Sequence, residues 1–334
     1  MRRNRKSSRR WAAALLVVIG LTSALSCQRT DTSTQSPPAE DRAGAKRLYA
    51  QAQELMRRGA YDEAIAACDQ AVKLAPSRVP PYLLRAEILS RVNRFQEAVR
   101  DMRTAHRLAP NEVGVMLQFL RLMPPYTSYR EMEDVARKAV ARAPESAEAH
   151  YYLGLALVNN PDTKRWEEAE RELAKASQLA PWMSLPLLEL GKLYLRQRRF
   201  GPAETVLEKA WNNLTQKKSP LSVSMPPSEM RVQQRNTAFW LHQAYQRQQN
   251  PRAREMSQIL QRLRRRVEEE EQLQMRANAV PPDFDAKLKL TQIALQDGDA
   301  LTAARYAREV LRQRPHDAEA QRILRLSTKN AKER

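Results

Sequence analysis

The chain is predicted to be an all-α solenoid, a row of about seven helix-turn-helix units closed by a C-terminal capping helix. Three observations predict it. Ala, Leu, Arg, Glu and Gln, all good helix formers, dominate a sequence with only 8 glycines. An Ala-Pro dipeptide ends at Pro76, Pro110, Pro144 and Pro181, at intervals of 34, 34 and 37 residues, and such a period marks one supersecondary unit copied along the chain. Alanines keep fixed places within that period, as a packed helix pair requires.

Residues 1–26 read as an export signal. Met1 to Arg10 carry six basic residues and no acidic one, and Trp11 to Leu25 is apolar apart from Thr22 and Ser23. That apolar run has signal-peptide length and falls short of the roughly 20 residues of a spanning helix. Ser23-Ala24-Leu25-Ser26-Cys27 resembles a bacterial lipobox, where small residues precede a cysteine that becomes acylated and N-terminal. Ala24 and Leu25 depart from that pattern, and the alternatives are an unlipidated signal peptide or an uncleaved anchor. Residues 27–44 are polar and rich in Ser, Thr and Pro, a flexible tether that would hold the folded part off a membrane. The resemblance implies lipidation at Cys27 and a periplasm-facing place in the bacterial cell envelope. Gln28 follows the cysteine, which by the sorting rule of such lipoproteins implies the outer membrane where the host has one. Cys68 would then stand alone, on an apolar helical face, as a small core residue.

The repeats occupy residues 45–214 as five units. A small residue stands 24 before the first two prolines, at Ala52 and Ala86, and Gly154 and Gly191 fill the same column later. Small residues there let two helix axes come within about 8–10 Å. A second column holds Ala64, Ala98, Ala169, Ala203 and Ala303, and a third Ala71, Ala105, Ala139, Ala176 and Ala210. Tyr61, Phe95, Trp166 and Phe200 open the second helix, after turns at Arg58-Gly59 and Val92-Asn93, with Asp297-Gly298 equivalent further on. Each proline stops the second helix and biases the residue before it away from helical geometry. One pair cannot bury its apolar face alone, so the pairs must stack.

Departures follow in order. The third unit has Leu120 in the small column and Pro124-Pro125 after it, so its first helix must end early. The fourth has three extra residues around Asn159-Asn160-Pro161, and the fifth has Thr215 in place of proline. Residues 215–232 read as a Ser/Pro-rich hinge. Residues 233–283 form a degenerate unit around Trp240-Leu241-His242-Gln243-Ala244-Tyr245. Its second helix runs into the charged stretch 264–271, where Arg264, Arg265 and Arg266 can pair with Glu268, Glu269 and Glu270 at i,i+4. Residues 284–334 hold a clear seventh unit, Phe284 to Pro315, and the capping helix.

These residues resemble the tetratricopeptide repeat family. Arg58-Gly59-Ala60-Tyr61-Asp62-Glu63-Ala64 through Leu74-Ala75-Pro76 is the clearest unit, and Asn93-Arg94-Phe95-Gln96-Glu97-Ala98 through Leu108-Ala109-Pro110 the next. Leu153-Gly154 and Leu190-Gly191-Lys192-Leu193-Tyr194 match the family's first-helix pattern. The resemblance implies a right-handed superhelix that binds proteins on a concave face lined by the first helices. Register sets Tyr49, Leu83, Leu117, Tyr151, Leu188, Phe239 and Leu288 in one inward column, apolar in every unit. A neighbouring column holds Arg57, Arg91, Arg196 and Arg247, with Gln53, Glu87, Arg121, Lys192 and Gln243 between the two. This reads as an apolar floor with a basic edge, suited to an amphipathic helix or an extended segment with acidic flanks. The alternative is that the column packs between helices and the arginines are solvated. The Lys/Asn clamp that some members use for a C-terminal carboxylate is not evident, since Tyr49 and Gln53 stand in its place.

Enzyme chemistry is not legible. There is no Gly-rich phosphate loop and no Gly-x-Ser-x-Gly. His106, His150, His242 and His316 fall in separate units without metal-ligand spacing and read as surface or helix-end residues. The net charge of +19 would suit nucleic acid, but export and the scarcity of aromatics among the basic clusters argue against it. The sequence therefore points to a non-catalytic interaction scaffold, lipid-tethered in the envelope, without cofactor or metal, that assists assembly of envelope complexes by binding other envelope proteins. The alternative is an accessory subunit of an envelope enzyme such as a cell-wall hydrolase or glycosyltransferase.

Overall fold

The computed structural model describes residues 39–123, 129–216 and 225–330, and every regular element among them is helical. The signal-like segment 1–26, Cys27, Pro124-Pro125 and the middle of the Ser/Pro stretch lie outside the described residues. The first unit pairs α1 (Ala39–Arg57) with α2 (Tyr61–Leu74), and the second α3 (Val79–Arg91) with α4 (Phe95–Leu108). Then come α5 (Val113–Leu122) with α6 (Tyr129–Arg142), α7 (Ala147–Asn159) with α8 (Trp166–Leu179), and α9 (Ser184–Arg196) with α10 (Phe200–Thr215). The sixth unit is α11 (Pro227–Arg247) with α12 (Arg252–Ala277), the seventh α13 (Phe284–Gln296) with α14 (Ala300–Gln313), and α15 (Ala318–Asn330) caps the row.

Two boundaries differ from the sequence reading. Helix α1 begins at Ala39, inside the stretch read as tether, and its Ala45 is buried against Ala71 of α2 and Ala75 just after α2. Helix α11 begins at Pro227, inside the stretch read as hinge, since a proline at a helix start gives up an amide that has no partner there. As expected, α5 is short, and the extra residues of the fourth unit form a single 3-10 turn, Thr163–Arg165.

Two backbone devices recur. Inside a unit the first helix ends in a left-handed residue: Gly59 (φ 77°), Asn93 (62°), Arg198 (60°), Gln249 (55°) and Gly298 (76°). The amide one residue further on reaches back five residues to a helix carbonyl, Ala60 to Leu55, Arg94 to Leu89, Arg199 to Tyr194, Asn250 to Tyr245 and Asp299 to Ala294, all at 2.8–2.9 Å. This is the Schellman closure, which satisfies carbonyls that the helix end would orphan. Between units the Ala-Pro works as a turn. Ala75, Ala109 and Ala180 leave helical geometry at ψ 65–79°, as the following proline demands. Each alanine carbonyl then accepts the amide three residues on, from Arg78, Glu112 and Met183. Ala143 and Arg314 repeat the bond with Ser146 and Asp317.

The packing follows the small columns. Ala52, Ala86, Ala64, Ala98, Ala169, Ala203 and Ala303 are all fully or almost fully buried. A methyl group at Gly154 would lie 2.6 Å from Leu173 Cγ, and one at Gly191 2.3 Å from Leu207 Cγ. The second helix therefore rests directly on the first helix's backbone at these points. Each first helix also packs on the next one, α1 on α3, α3 on α5, α5 on α7, α7 on α9 and α9 on α11, while successive second helices do not pack closely. Spacing is thus tighter on the first-helix side, which makes that side the inner one. The series breaks between α11 and α13, where the 26-residue α12 spreads the units apart. The row also comes round on itself. The guanidinium of Arg305 on α14 lies 5.7 Å from the Tyr61 ring of the first unit, and its methylenes rest against Gly59.

Gly154→Ala and Gly191→Ala are each expected to lower stability by about 1–3 kcal/mol, the usual cost of overpacking. Gly114→Ala, with nothing within 4 Å of its new methyl, is expected to be neutral or to stabilise by up to about 1 kcal/mol through helix propensity. Thermal denaturation of the three variants checks this.

Candidate functional site on the first-helix face

The inner column is partly open and partly sealed. Tyr49, Leu83, Leu117, Phe239 and Leu288 are half-buried, so each leaves an apolar edge for a partner. Tyr151 and Leu188 are buried, so the apolar floor is interrupted in the fourth and fifth units. Tyr151 turns its ring against Tyr152, with centroids 5.0 Å apart, and burial pushes its hydroxyl well above the ordinary range. The cause is local. Helix α7 is apolar on nearly every side, with ten consecutive buried residues from Ala149 to Val158.

The arginine column divides in the same way. Arg57 folds onto Glu54 of its own helix at 2.5 Å, and Arg91 onto Glu87 at 2.8 Å. These exposed pairs contribute little to stability, and each neutralises one arginine of the basic edge. Among the residues between the columns, Gln53 donates to the Tyr49 hydroxyl at 3.0 Å. Arg121 pairs with Glu148 at 2.7 Å, and Lys192 with Glu189 at 2.8 Å.

Arg196 and Arg247 are different. They come together in a cavity of about 610 Å³ between the fifth and sixth units, with Leu195, Arg198, Phe200, Trp240 and Gln243 in the same wall. Arg198 was not singled out by sequence reasoning, and Trp240 was read only as part of the degenerate sixth unit. The signal for Arg198 was present, since it stands seven residues after Gly191 as Gly59 stands seven after Ala52. It thus falls in the left-handed turn column.

The other charged clusters are internally satisfied. Arg85 bridges Asp69 at 2.5 Å and the buried Asp101 at 2.6 Å, tying α3 to the second helices on either side. Arg165 and Arg137 hold Glu133 and Glu168 across the third and fourth units. The hydroxyls of Tyr194 and Tyr245 donate to Glu170 and Glu208, each one unit back, at 2.9 and 2.7 Å. Burial, reinforced by that carboxylate, raises Tyr245 to about 12. A second concavity of about 350 Å³ opens where α11 and α13 part, lined by Leu290, Ile293, Tyr306 and the trio Arg231, Glu270 and Asp297. Arg231 reaches both acids, at 2.8 and 2.9 Å. That contact changes the reading of the charged run in α12. Glu270 pairs with Arg231 and Arg266, and Glu271 with Arg235 across to α11. Arg264 lies instead over the Phe239 ring, so of the three i,i+4 pairs expected there only Arg266 to Glu270 forms.

Family models described as tetratricopeptide repeat match residues 45–78 and 130–182. A TPR repeat-containing protein of Pseudomonas aeruginosa is 28% identical over 157 residues, 47% of this chain and 26% of that protein. Anaphase-promoting complex subunit 7 of Dictyostelium discoideum is 27% identical over 139 residues, 42% of this chain and 23% of that protein. The alignments span about a quarter of the length of these curated relatives. Among solved structures, PilW, titled a widely conserved type IV pilus biogenesis factor, is 16% identical with a TM-score of 0.49, covering 84% of this chain and 98% of PilW. Neither matched family model is that of an enzyme family.

The titratable groups with catalytic potential are held in structural roles. His150 is buried rather than at the surface, and its two ring nitrogens lie 2.6 Å from Glu172 and 2.8 Å from the Pro144 carbonyl. His106 stacks on Phe119 at 5.1 Å, and burial lowers its pKa. Among the described residues no three His, Cys, Asp or Glu side chains are grouped to hold a metal ion. Cys68 is fully buried, and burial pushes its thiol from an ordinary 9.0 up to about 12. The native state therefore holds the proton that the unfolded chain releases above pH 9. The stability this contributes is whole below pH 9 and is lost as pH rises toward 12. Alkylation by iodoacetamide at pH 8.5, read by peptide mapping of Cys68, is expected to be at least about tenfold slower in the native protein than in denaturant, because only the thiolate reacts.

Proposed function

The chain is a tetratricopeptide-repeat protein, and from that premise we propose that it is a non-catalytic scaffold that holds segments of other proteins along the inner, first-helix face. The observation that carries this is the half-exposed apolar column of Tyr49, Leu83, Leu117, Phe239 and Leu288, repeated at one place in successive units. An isolated apolar edge on a surface is ordinary, but the same edge recurring along an inner face is a docking track. A helix or an extended segment laid along it would meet one anchor per unit. Tyr151 and Leu188 contribute rigidity beneath the track rather than contact.

We place the scaffold in the bacterial cell envelope, tethered through a lipid on Cys27, where it would assist assembly of envelope complexes. The reading rests on the basic and apolar order of residues 1–25 and on Ser26-Cys27. No helix among the described residues is long and apolar enough to cross a membrane.

A photo-crosslinking residue at Leu83 or Leu117, introduced into the native host, is expected to give discrete protein adducts. The same residue at Ala66, exposed on α2, is expected to give none. Equal labelling from all three positions, or none from any, would refute the track. For the tether, mass spectrometry of the purified protein is expected to find a mature N-terminus at an acylated Cys27, and an intact Met1 would refute it.

A further inference from the structure

We propose that the cavity between the fifth and sixth units is a binding site for an acidic segment of a partner protein. Its carboxylates would be taken by Arg196, Arg198 and Arg247, and a neighbouring apolar or aromatic side chain would lie on Trp240. This deepens the scaffold reading and rests on it.

The three guanidiniums arrive from separate places: the end of α9, the turn that follows it, and the end of α11. All three side chains are exposed, so solvent screens their repulsion in part, while the concavity still gathers positive charge on one surface. At Arg85, Arg137, Arg165 and Arg231 the charge is cancelled by carboxylates, whereas no Asp or Glu is among the residues that line this cavity. Arg196 makes one long bond, 3.4 Å to the Val158 carbonyl. No acceptor among the described residues meets the side chains of Arg198 or Arg247. The carboxylates nearby are already occupied. Glu204 is held by the amides of Gln248 and Asn250, Glu170 by Tyr194 and Arg199, and Glu189 by Lys192.

Arg198 joins the cavity wall from the left-handed turn position, at φ 60°, that Gly59, Asn93, Gln249 and Gly298 fill in other units, where a residue with a Cβ is less favourable than glycine. Guanidinium forks take planar carboxylates two bonds at a time. Trp240, braced edge-on by Phe239 at 5.0 Å, supplies the rigid aromatic surface that anchors protein segments. A volume of about 610 Å³ admits several side chains, which favours a peptide over a lone ion.

The test uses the full chain and two fluorescein-labelled dodecapeptides, one of Asp, Glu and Phe, the other with Asn and Gln at the acidic positions. Fluorescence anisotropy is expected to show binding of the acidic peptide only, weakening as salt rises. Arg247→Ala and Arg198→Gly are each expected to weaken it about tenfold, the worth of one charge-assisted hydrogen bond. Arg198→Gly also removes the strain, so its Tm is expected to hold or rise, which separates lost binding from lost folding. Unchanged affinity in both variants, equal binding of the neutral peptide, or displacement of the acidic peptide by inorganic phosphate below about 1 mM would each overturn the proposal. The last would assign the site to a phosphate anion. Crosslinks persisting at Leu83 and Leu117 while the acidic peptide fails would remove this cavity and leave the scaffold standing.

Discussion

Everything in this array depends on how closely the two helices of a unit can approach. At Gly191 there is no room for a methyl group, because Leu207 of the partner helix lies where it would go. Ala52 and Ala86 fill the same place with a methyl group and are fully buried. Close approach fixes the helix pair as a rigid wedge, and stacking wedges buries a continuous core from Ala52 to Leu193. It also fixes where strain can be stored. Where the helices turn back within three or four residues, a left-handed residue closes the first helix, and the chain places glycine, asparagine, arginine or glutamine there. Only the first two of these suit the geometry cheaply.

The wedges are not equal, and their inequality shapes the inner face. Where α7 is apolar all round, its column residue Tyr151 sinks into the core. Where α12 extends to 26 residues, α11 and α13 lose their packing and a cavity opens beside Arg231, Glu270 and Asp297. The surface a partner would meet is therefore a half-exposed track in the first three units, a sealed stretch, a basic recess, and the half-exposed Phe239 and Leu288 in the last two units.

Much of the fold was legible in the sequence. The recurring Ala-Pro marked the end of four of the second helices, because the alanine carbonyl before the proline closes the same turn each time. The small column located the helix contacts, and the short α5 followed from Pro124-Pro125. The helical start of α1 at Ala39 was not legible, since local composition favoured a tether and only burial of Ala45 against Ala71 makes the helix worthwhile. Of the candidate site, the columns could be read, but not which members stay open. Register places Tyr151 and Leu117 identically, whereas burial separates them.

By itself, then, the sequence determined the repeating, short-range features: helix ends, turns, close contacts and the inward column. These follow from interactions within about 34 residues, which the period copies. Only the tertiary structure decided which charges are spent. Arg57 and Arg91 find glutamates one turn away, Arg85 finds aspartates on two neighbouring helices, and Arg198 and Arg247 find none among the described residues. That outcome depends on pairing between side chains 44 and 46 residues apart, where Gln248 and Asn250 hold Glu204. Pair formation at that range is set by packing distance, and packing distance exists only once the units have stacked.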